Sequence, residues 1–447
     1  MRSANLSLLL RHLHAQGGRT RAALAQETGL SKASVTTLIG DLVARGLVRE
    51  GQVERRGTVG RPGTEVRIDA GQVAGIGLEL NADYLAVILR DLAGEVRFRS
   101  SVPMPVVADA GSPGGPGGAD GPAGPGGRSY PPGLVLDLAA QQLREALDAA
   151  EADGLWAAGV TVAAPGPVDY EGATVRFASN LGWSDIPLGR ELEQRLGRAL
   201  PPLSLENDAK LSALAEAPRL ARQGIADLVY LTGDIGVGAG IVAGGRLIRG
   251  WSGFSGEVGH IGLDPAGPQC RCGRRGCWET LVGFDTVLAV LDPDDPARSG
   301  TLPMQERLRR LRELLDADDP RLVERFATLP EDLVRGAGVL VDVLNPQAIV
   351  LGGYFGAFAD LLVRPVQDAL DARLLDEDGR VEVSASALGL DAAAAGGASV
   401  SLERVLEDPL LAPTLAADAA DAADAAADAD ADADDDAAGA DAAGGSG

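Results

Sequence analysis

The only three cysteines of the chain stand in one short window, Cys270-Arg271-Cys272-Gly273-Arg274-Arg275-Gly276-Cys277. That spacing is poor for a disulfide framework and good for an ion, because glycines let a loop fold around a centre. Zinc in a closed structural site takes four sulfur or nitrogen ligands in a tetrahedron. Of the three histidines, His12 and His14 lie near the N-terminus, while His260 stands ten residues before Cys270, in Gly256-Glu257-Val258-Gly259-His260. The expected centre is zinc held by His260, Cys270, Cys272 and Cys277. Four protein ligands leave no open position, so the role is structural. Zinc would pin the loop so that Glu257 and Glu279 are held in a cleft. The bland alternative is three unligated thiols and a core histidine.

A second chemistry lies in the charge distribution. The formal net charge is -24, which taken whole argues against a nucleic-acid partner. Residues 1–68 nevertheless carry eleven Lys/Arg against five acids, a net +6, whereas Asp418–Gly447 carries ten aspartates and no base. A basic head on an acidic body implies that the head alone meets an anion.

Helices are expected in that head over 3–16, about 20–28 and 31–45, with Thr20 and Ser31 as N-caps and Gly29 at the left-handed position of a tight turn. Ala25, four residues before Gly29, lets the next helix cross closely. Val35, Leu38, Ile39 and Leu42 recur at helical spacing and face inward. They leave Ser31, Lys32, Ala33, Ser34, Thr36 and Thr37 at the N-terminal end of the third helix for the major groove and its flanking phosphates. Leu47-Val48 and Glu65–Ile68 flank a basic, Gly-rich wing holding Arg55, Arg56 and Gly60-Arg61-Pro62-Gly63, with Arg61 suited to phosphate or the minor groove. Residues 1–70 therefore read as a winged helix-turn-helix with operator DNA as partner. The alternative is a generic three-helix interaction module.

From Val73 the period becomes that of strands. Gly75–Leu80, Tyr84–Asp91 and Glu95–Pro103 form a meander, followed by a helix at Leu134–Ala150 and a strand at Gly159–Ala163. A similar series recurs in Leu228–Thr232, Gly238–Ala243 and Arg246–Arg249, then helix Glu331–Leu344, strand Ala348–Leu351, helix Phe358–Ala372 and strand Val381–Ser384. Two βββαβα-like halves predict a duplicated, two-lobed α/β body over 71–408, with lobes at about 71–200 and 201–390, a returning C-terminal helix and a ligand cleft between the lobes. Residues 108–133 read as a flexible Gly/Pro insertion. The Ala/Asp-rich tail, 409–447, reads as disordered; competition with DNA for the basic head is the other reading of such a tail. No apolar run approaches the roughly 20 residues of a membrane helix, and Leu8-Leu9-Leu10 is too short for a secretory core. The expected location is the cytoplasm, with no membrane partner.

The cysteine window continuing into Trp278-Glu279, the Glu257–His260 motif and Leu205-Glu206-Asn207-Asp208 resemble signatures of the ROK family (repressor, open reading frame, kinase). With the winged head, the chain is similar to ROK transcriptional repressors of the xylose type over roughly residues 3–407. The resemblance implies an actin-like, sugar-kinase-like body that binds a monosaccharide effector. It implies sugar contacts at Asn180 (in Ser179-Asn180-Leu181-Gly182-Trp183), Asn207, Asp208, Glu257, His260 and Glu279. His260 would bind zinc through one ring nitrogen and a sugar hydroxyl through the other. Carboxylates and amides are the groups that pair with vicinal hydroxyls.

In ROK kinases the counterpart of Asp208 is the base that deprotonates the sugar, and ATP phosphates sit on two Gly/Thr loops. Here the first loop reads Glu79-Leu80-Asn81-Ala82-Asp83, without a glycine and with two carboxylates. The second, Gly233-Asp234-Ile235-Gly236-Val237-Gly238-Ala239-Gly240, keeps its glycines but has Ile235 at the threonine position and adds Asp234. Phosphoryl transfer rests on cradling and neutralising phosphates. A retained base without that cradle is a binding residue, so no catalytic residue is expected. The reading is a sugar-responsive repressor of carbohydrate-use genes, a homodimer or higher oligomer on a pseudo-palindromic operator, released by its sugar. The alternatives are an ATP-dependent sugar kinase of the ROK type and a DNA-binding protein with no sugar effector.

Overall fold

Leu6, Leu9, Leu10 and Leu13 recur at helical spacing, and all four are buried on one side of α1 (Arg2–Gln16) in the computed structural model. The structure describes residues 1–51, 64–105, 107–108, 128–298, 302–373 and 379–415. The wing residues Arg55, Arg56 and Arg61, most of the Gly/Pro insertion and the aspartates of the tail lie outside the described residues.

Helices α2 (Arg21–Thr28) and α3 (Lys32–Ala44) follow as expected, joined through Gly29 at φ 73°. Thr20 Oγ1 accepts from the Ala23 amide at 3.2 Å, and Ser31 Oγ from that of Ser34 at 3.1 Å. The wing strands Val48–Glu50 and Glu65–Ile68 pair antiparallel. A third strand of two residues, Arg19–Thr20, adds to the far side of Glu65–Ile68; it is too short to show a period in sequence.

The body holds two five-stranded sheets of the same topology. In the first, Val73–Leu80, Tyr84–Asp91 and Val96–Pro103 run antiparallel, and Trp156–Ala164 and Leu203–Asn207 add in parallel on the other side of Val73–Leu80. In the second, Leu228–Gly233, Val237–Ala243 and Arg246–Leu247 run antiparallel, and Ala348–Gly352 and Glu382–Ala385 add in parallel beyond Leu228–Gly233. Each sheet has its own apolar core.

Four expectations are corrected. The first sheet extends to Asn207, past the division placed near 200, because Leu203–Asn207 pairs with Trp156–Ala164. The insertion is narrower than 108–133, since Val107–Ala108 pairs with Arg128–Ser129 and the next helix begins at Pro132. The helix expected from Glu331 starts at Pro320, capped by Asp319, and runs through Pro330. The tail does not leave the body at residue 409: Pro409–Leu411 forms a 3-10 turn, Asp408 accepts from the Leu410 amide, and Ala412 is buried.

The returning C-terminal helix, Ala392–Glu407, is where head and lobes meet. Its first half is Ala392-Ala393-Ala394-Ala395-Gly396-Gly397-Ala398, small enough to touch backbone. A Cβ on Gly77 of the first sheet would stand 1.8 Å from the Ala394 carbonyl oxygen, and one on Gly396 would stand 2.1 Å from that of Leu211. Ser401 Oγ donates to the Ile76 carbonyl at 3.0 Å. Its last turns carry Leu402, Val405 and Leu406 into the core of the head, alongside Leu6, Leu9, Leu10, Leu13 and Val35.

Candidate functional site

A cleft of about 250 Å³ opens between the two lobes. It lies past the carboxyl ends of the parallel strands Trp156–Ala164 and Leu203–Asn207, the usual crevice of an open α/β sheet. All six residues expected to contact sugar line it: Asn180, Asn207 and Asp208 from the first lobe's side, Glu257, His260 and Glu279 from the second. Asn207 also caps the helix Asp208–Ala221, its Oδ1 accepting from the Lys210 amide at 3.1 Å while its Nδ2 donates to the Gly166 carbonyl at 3.2 Å. Gly236 leaves room at the back of the cleft, since a Cβ there would stand 3.0 Å from Asn180 Nδ2 and 3.5 Å from Glu279 Oε2.

The cleft is acidic and partly desolvated. Burial pushes the Asp208 carboxyl up to about 7; the Glu257 charge adds to this, and the Ala209 amide, donating to Oδ1 at 2.7 Å, opposes it. Glu257 is also raised, by burial first, with repulsion from Glu279 opposed by attraction to Lys210. Lys210 is itself buried and lowered by that burial, and its Nζ donates to the Gly253 carbonyl.

Below the cleft, Glu79, Asp208 and Asp234 border a cavity of about 10 Å³, room for roughly one water. Burial holds Glu79 well above the carboxylate range, and repulsion from Asp234 adds to it. Asp234 is pushed up to about 7 by burial and by the charges of Asp208 and Asp83. Tyr84 donates to Glu79 Oε1 at 2.8 Å, whereas Glu79 Oε2 and Asp234 Oδ1 are buried without a hydrogen-bond partner.

The four expected metal ligands converge. One donor atom from each of His260, Cys270, Cys272 and Cys277 lies within 4.8 Å of the others. Cys270 Sγ is 3.6 Å from His260 Nδ1, and Cys272 Sγ is 3.6 Å from Cys277 Sγ. A tetrahedron with bonds of about 2.0–2.3 Å has edges of about 3.5–3.8 Å, so the cluster could hold a metal ion of zinc's size. Glu279 borders the cluster, with Oε1 2.8 Å from Cys270 Sγ and 3.5 Å from His260 Nδ1. Cys272 and Arg274 of the same loop line the cleft.

In the head, Ser31, Lys32, Ala33, Ser34, Thr36 and Thr37 are all exposed at the N-terminal end of α3 and its cap. Thr36 and Thr37 each donate to the carbonyl four residues back, at 2.9 and 3.2 Å, which leaves the hydroxyl oxygens free to accept.

Sequence reasoning passed over Lys210, Arg274, Phe177 and Phe254. Lys210 left a signal: Lys32 and Lys210 are the only lysines among the forty Lys/Arg of the chain. A lysine where arginine is the default marks a site needing a compact ammonium. The two phenylalanines left none.

Known proteins resemble this chain in two registers. Residues 134–404 match the ROK family and residues 7–57 the MarR family. The xylose repressor of Bacillus subtilis (strain 168) is 24% identical over 409 residues, covering 91% of this chain and 97% of that protein. The glucokinase of Thermotoga maritima is 33% identical over 264 residues, covering 57% of this chain and 82% of its own length. Among solved structures, a ROK family transcriptional regulator, homolog of the E. coli MLC protein, superposes with a TM-score of 0.67 at 23% identity, covering 92% of this chain and 98% of its own. A ROK family glucokinase from Streptomyces griseus, in complex with glucose and AMPPNP, superposes with a TM-score of 0.57 at 26% identity, covering 74% and 99%.

Proposed function

This chain belongs to the ROK family, and from that premise we propose that it is a sugar-responsive DNA-binding repressor of carbohydrate-use genes. The observation that carries the reading is the placement of the C-terminal helix. Ala392 and Ala393, at its start, border the acidic cavity beside Asp208, and Leu402, Val405 and Leu406, near its end, belong to the core of the head. A change at the cleft therefore has a rigid route to the DNA-binding helix.

Residues 1–70 are the DNA-binding unit and 71–408 the sugar-binding body. Ser31, Lys32, Ala33, Ser34, Thr36, Thr37 and Arg61 make the DNA contacts. Asn180, Asn207, Asp208, Glu257, His260 and Glu279 hold one sugar ring by its hydroxyls. Asp208, poised near neutrality, serves either as acceptor or as donor to a hydroxyl. His260, Cys270, Cys272 and Cys277 would hold zinc, which supplies a cross-link with no open position. Their loop then presents Glu279 and Arg274 to the cleft in a fixed geometry. The protein acts in the cytoplasm as a homodimer, placing two heads on successive half-sites. Sugar must bind one arrangement of the heads better than the other, because equal affinity shifts nothing. Its preference is for the arrangement that releases DNA.

The acids around the small cavity support a regulator over a kinase. Where kinases of the family seat phosphate, this chain places Glu79 and Asp234 around a cavity with room for about one water.

The test is a mobility-shift titration on DNA selected by the protein from a random pool, with and without a panel of sugars. Asp208→Ala and Glu257→Ala are expected to keep DNA affinity and lose the sugar response. Lys32→Ala with Arg61→Ala is expected to lose DNA and keep sugar binding. Cleft variants that lose DNA while keeping the sugar response would overturn the assignment.

A further inference from the structure

Among the described residues four aromatic side chains are exposed: Tyr170, Phe177, Trp251 and Phe254. The other described aromatics are buried or half-buried. The four stand on two segments that pack together, Tyr170 and Phe177 on one and Trp251 and Phe254 on the other. Phe177 and Phe254 form walls of the sugar cleft from its two sides. Trp251, fully exposed, stands three residues before Phe254 on the same loop. Tyr170 lies under the Arg249 guanidinium, 5.4 Å from ring centroid to Cζ, and Arg249 is in turn paired with the buried Glu206 at 2.6 Å.

These rings sit on anchored backbone. Lys210 Nζ bonds the Gly253 carbonyl, and a Cβ on Gly253 would stand 3.0 Å from the Val168 oxygen, so the loop carrying Trp251 packs on the hairpin carrying Tyr170. An exposed cluster of large rings forgoes the burial that drives folding, and such patches mark binding surfaces.

We propose that this rim is a second sugar subsite, and that the effector is a disaccharide or longer glycoside rather than a lone monosaccharide. The inference rests on the reading of the cleft as a sugar site. A pyranose has two kinds of surface. Its hydroxyl edge needs carboxylates and amides, which the cleft floor supplies in Asp208, Glu257 and Asn180. Its C–H face packs on the negative face of an aromatic ring. The floor satisfies one ring, and the rim, continuous with it through Phe177 and Phe254, offers faces for the next. A contact between copies of this chain fits less well, because the rings are interrupted by Arg249 and open into a polar cleft instead of forming a flat apolar core.

Isothermal titration of the full-length, zinc-loaded protein tests this, with glucose and xylose set against cellobiose, maltose and xylobiose. A disaccharide is expected to bind at least about tenfold more tightly than its own monosaccharide, and Trp251→Ala or Tyr170→Ala to cut only the disaccharide affinity, by about three- to tenfold. Three results overturn the proposal: disaccharides binding no better than monosaccharides; variants weakening both alike; or sedimentation showing that Trp251→Ala dissociates an assembly while disaccharide affinity stands. Failure of both sugar classes to bind would instead sink the reading of the cleft itself.

Discussion

Nη1 of Arg307 lies 2.7 Å from each carboxylate oxygen of Asp83, and both side chains are fully buried. Asp83 belongs to the turn after the first strand of the first lobe, and Arg307 to the helix Met304–Asp316 of the second. The pair thus ties the lobes together at the turn where kinases of the family cradle phosphate. Its guanidinium also sits over the Phe284 ring, 5.0 Å from the centroid, and Arg307 Nε donates to the Ala297 carbonyl at 2.9 Å. The turn has become a strut.

A buried charge left without its partner costs about 3–5 kcal/mol, whereas replacing both partners by apolar groups is often neutral. Arg307→Met is therefore expected to lower the unfolding free energy by about that amount, and Asp83→Leu added to it to recover most of the loss. Urea unfolding of the two variants decides this. A single variant as stable as the parent would show that the strut carries little.

Purified protein is expected to contain one zinc per chain. Cys277→Ser should lose the metal together with much of the stability of the loop, since ligands that meet only in the folded chain couple binding to folding. Elemental analysis and thiol titration are the measurements. Three freely titrating thiols in folded, metal-poor protein would contradict the assignment of His260, Cys270, Cys272 and Cys277.

Stability should fall as pH rises from about 4 to about 7. Asp208 and Asp234 are pushed from the ordinary 3.8 up to about 7, so in that window the folded state binds protons that the unfolded chain has released. Their contribution is fully present below about 4 and is lost as pH climbs through 7. Asp234→Asn should flatten the slope. Urea midpoints at pH 5, 6 and 7.5 test the sign, and a rise across this range that the Asn variant leaves untouched would refute it.

Much of this architecture is legible in sequence because it rests on period and spacing. Head helices, both strand series and the convergence of His260, Cys270, Cys272 and Cys277 follow from leucine recurrence, alternation and the spacing of the histidine and cysteines. What stays hidden depends on contacts made far along the chain. Ala392–Glu407 opens with alanines and glycines that show no apolar stripe, yet their small size is what lets the helix touch Gly77 and Leu211 backbone. Arg307 looks like any basic residue of a charged helix until Asp83 is placed against it. The strands Val168–Asp169, Thr174–Ala178 and Trp183–Ile186 are short, and their exposed residues come in adjacent pairs, Arg176-Phe177 and Ser184-Asp185, so no alternation builds up.

Severing the C-terminal helix from the head should uncouple the two sites without destroying either. The joint has an apolar part and a polar part. Leu402, Val405 and Leu406 are needed for the head's own core, so their loss would confuse uncoupling with unfolding. The polar part is separable. Ser7 Oγ donates to the Leu406 carbonyl at 2.7 Å, Ser3 Oγ to Asp408 Oδ1 at 2.6 Å, and Arg45, at the C-cap of α3, donates to the carbonyls of Leu410 and Ala412. Arg11 adds an ion pair with Glu403 at the surface, where such pairs contribute little. The neutral bond from Ser7 contributes about 1 kcal/mol and those involving Asp408 and Arg45, which are charged, about 1.5–3 kcal/mol each, comparable to the 1–3 kcal/mol by which effectors typically couple to a distant site. Ser3→Ala, Ser7→Ala and Arg45→Ala combined should therefore reduce the shift in DNA affinity caused by sugar by about tenfold or more, while sugar affinity and sugar-free DNA affinity stay near those of the parent. Paired titrations of DNA with and without sugar measure the shift directly. A combined variant with an unchanged shift would mean that the signal travels by another element, and the strut between Asp83 and Arg307 would be the next to cut.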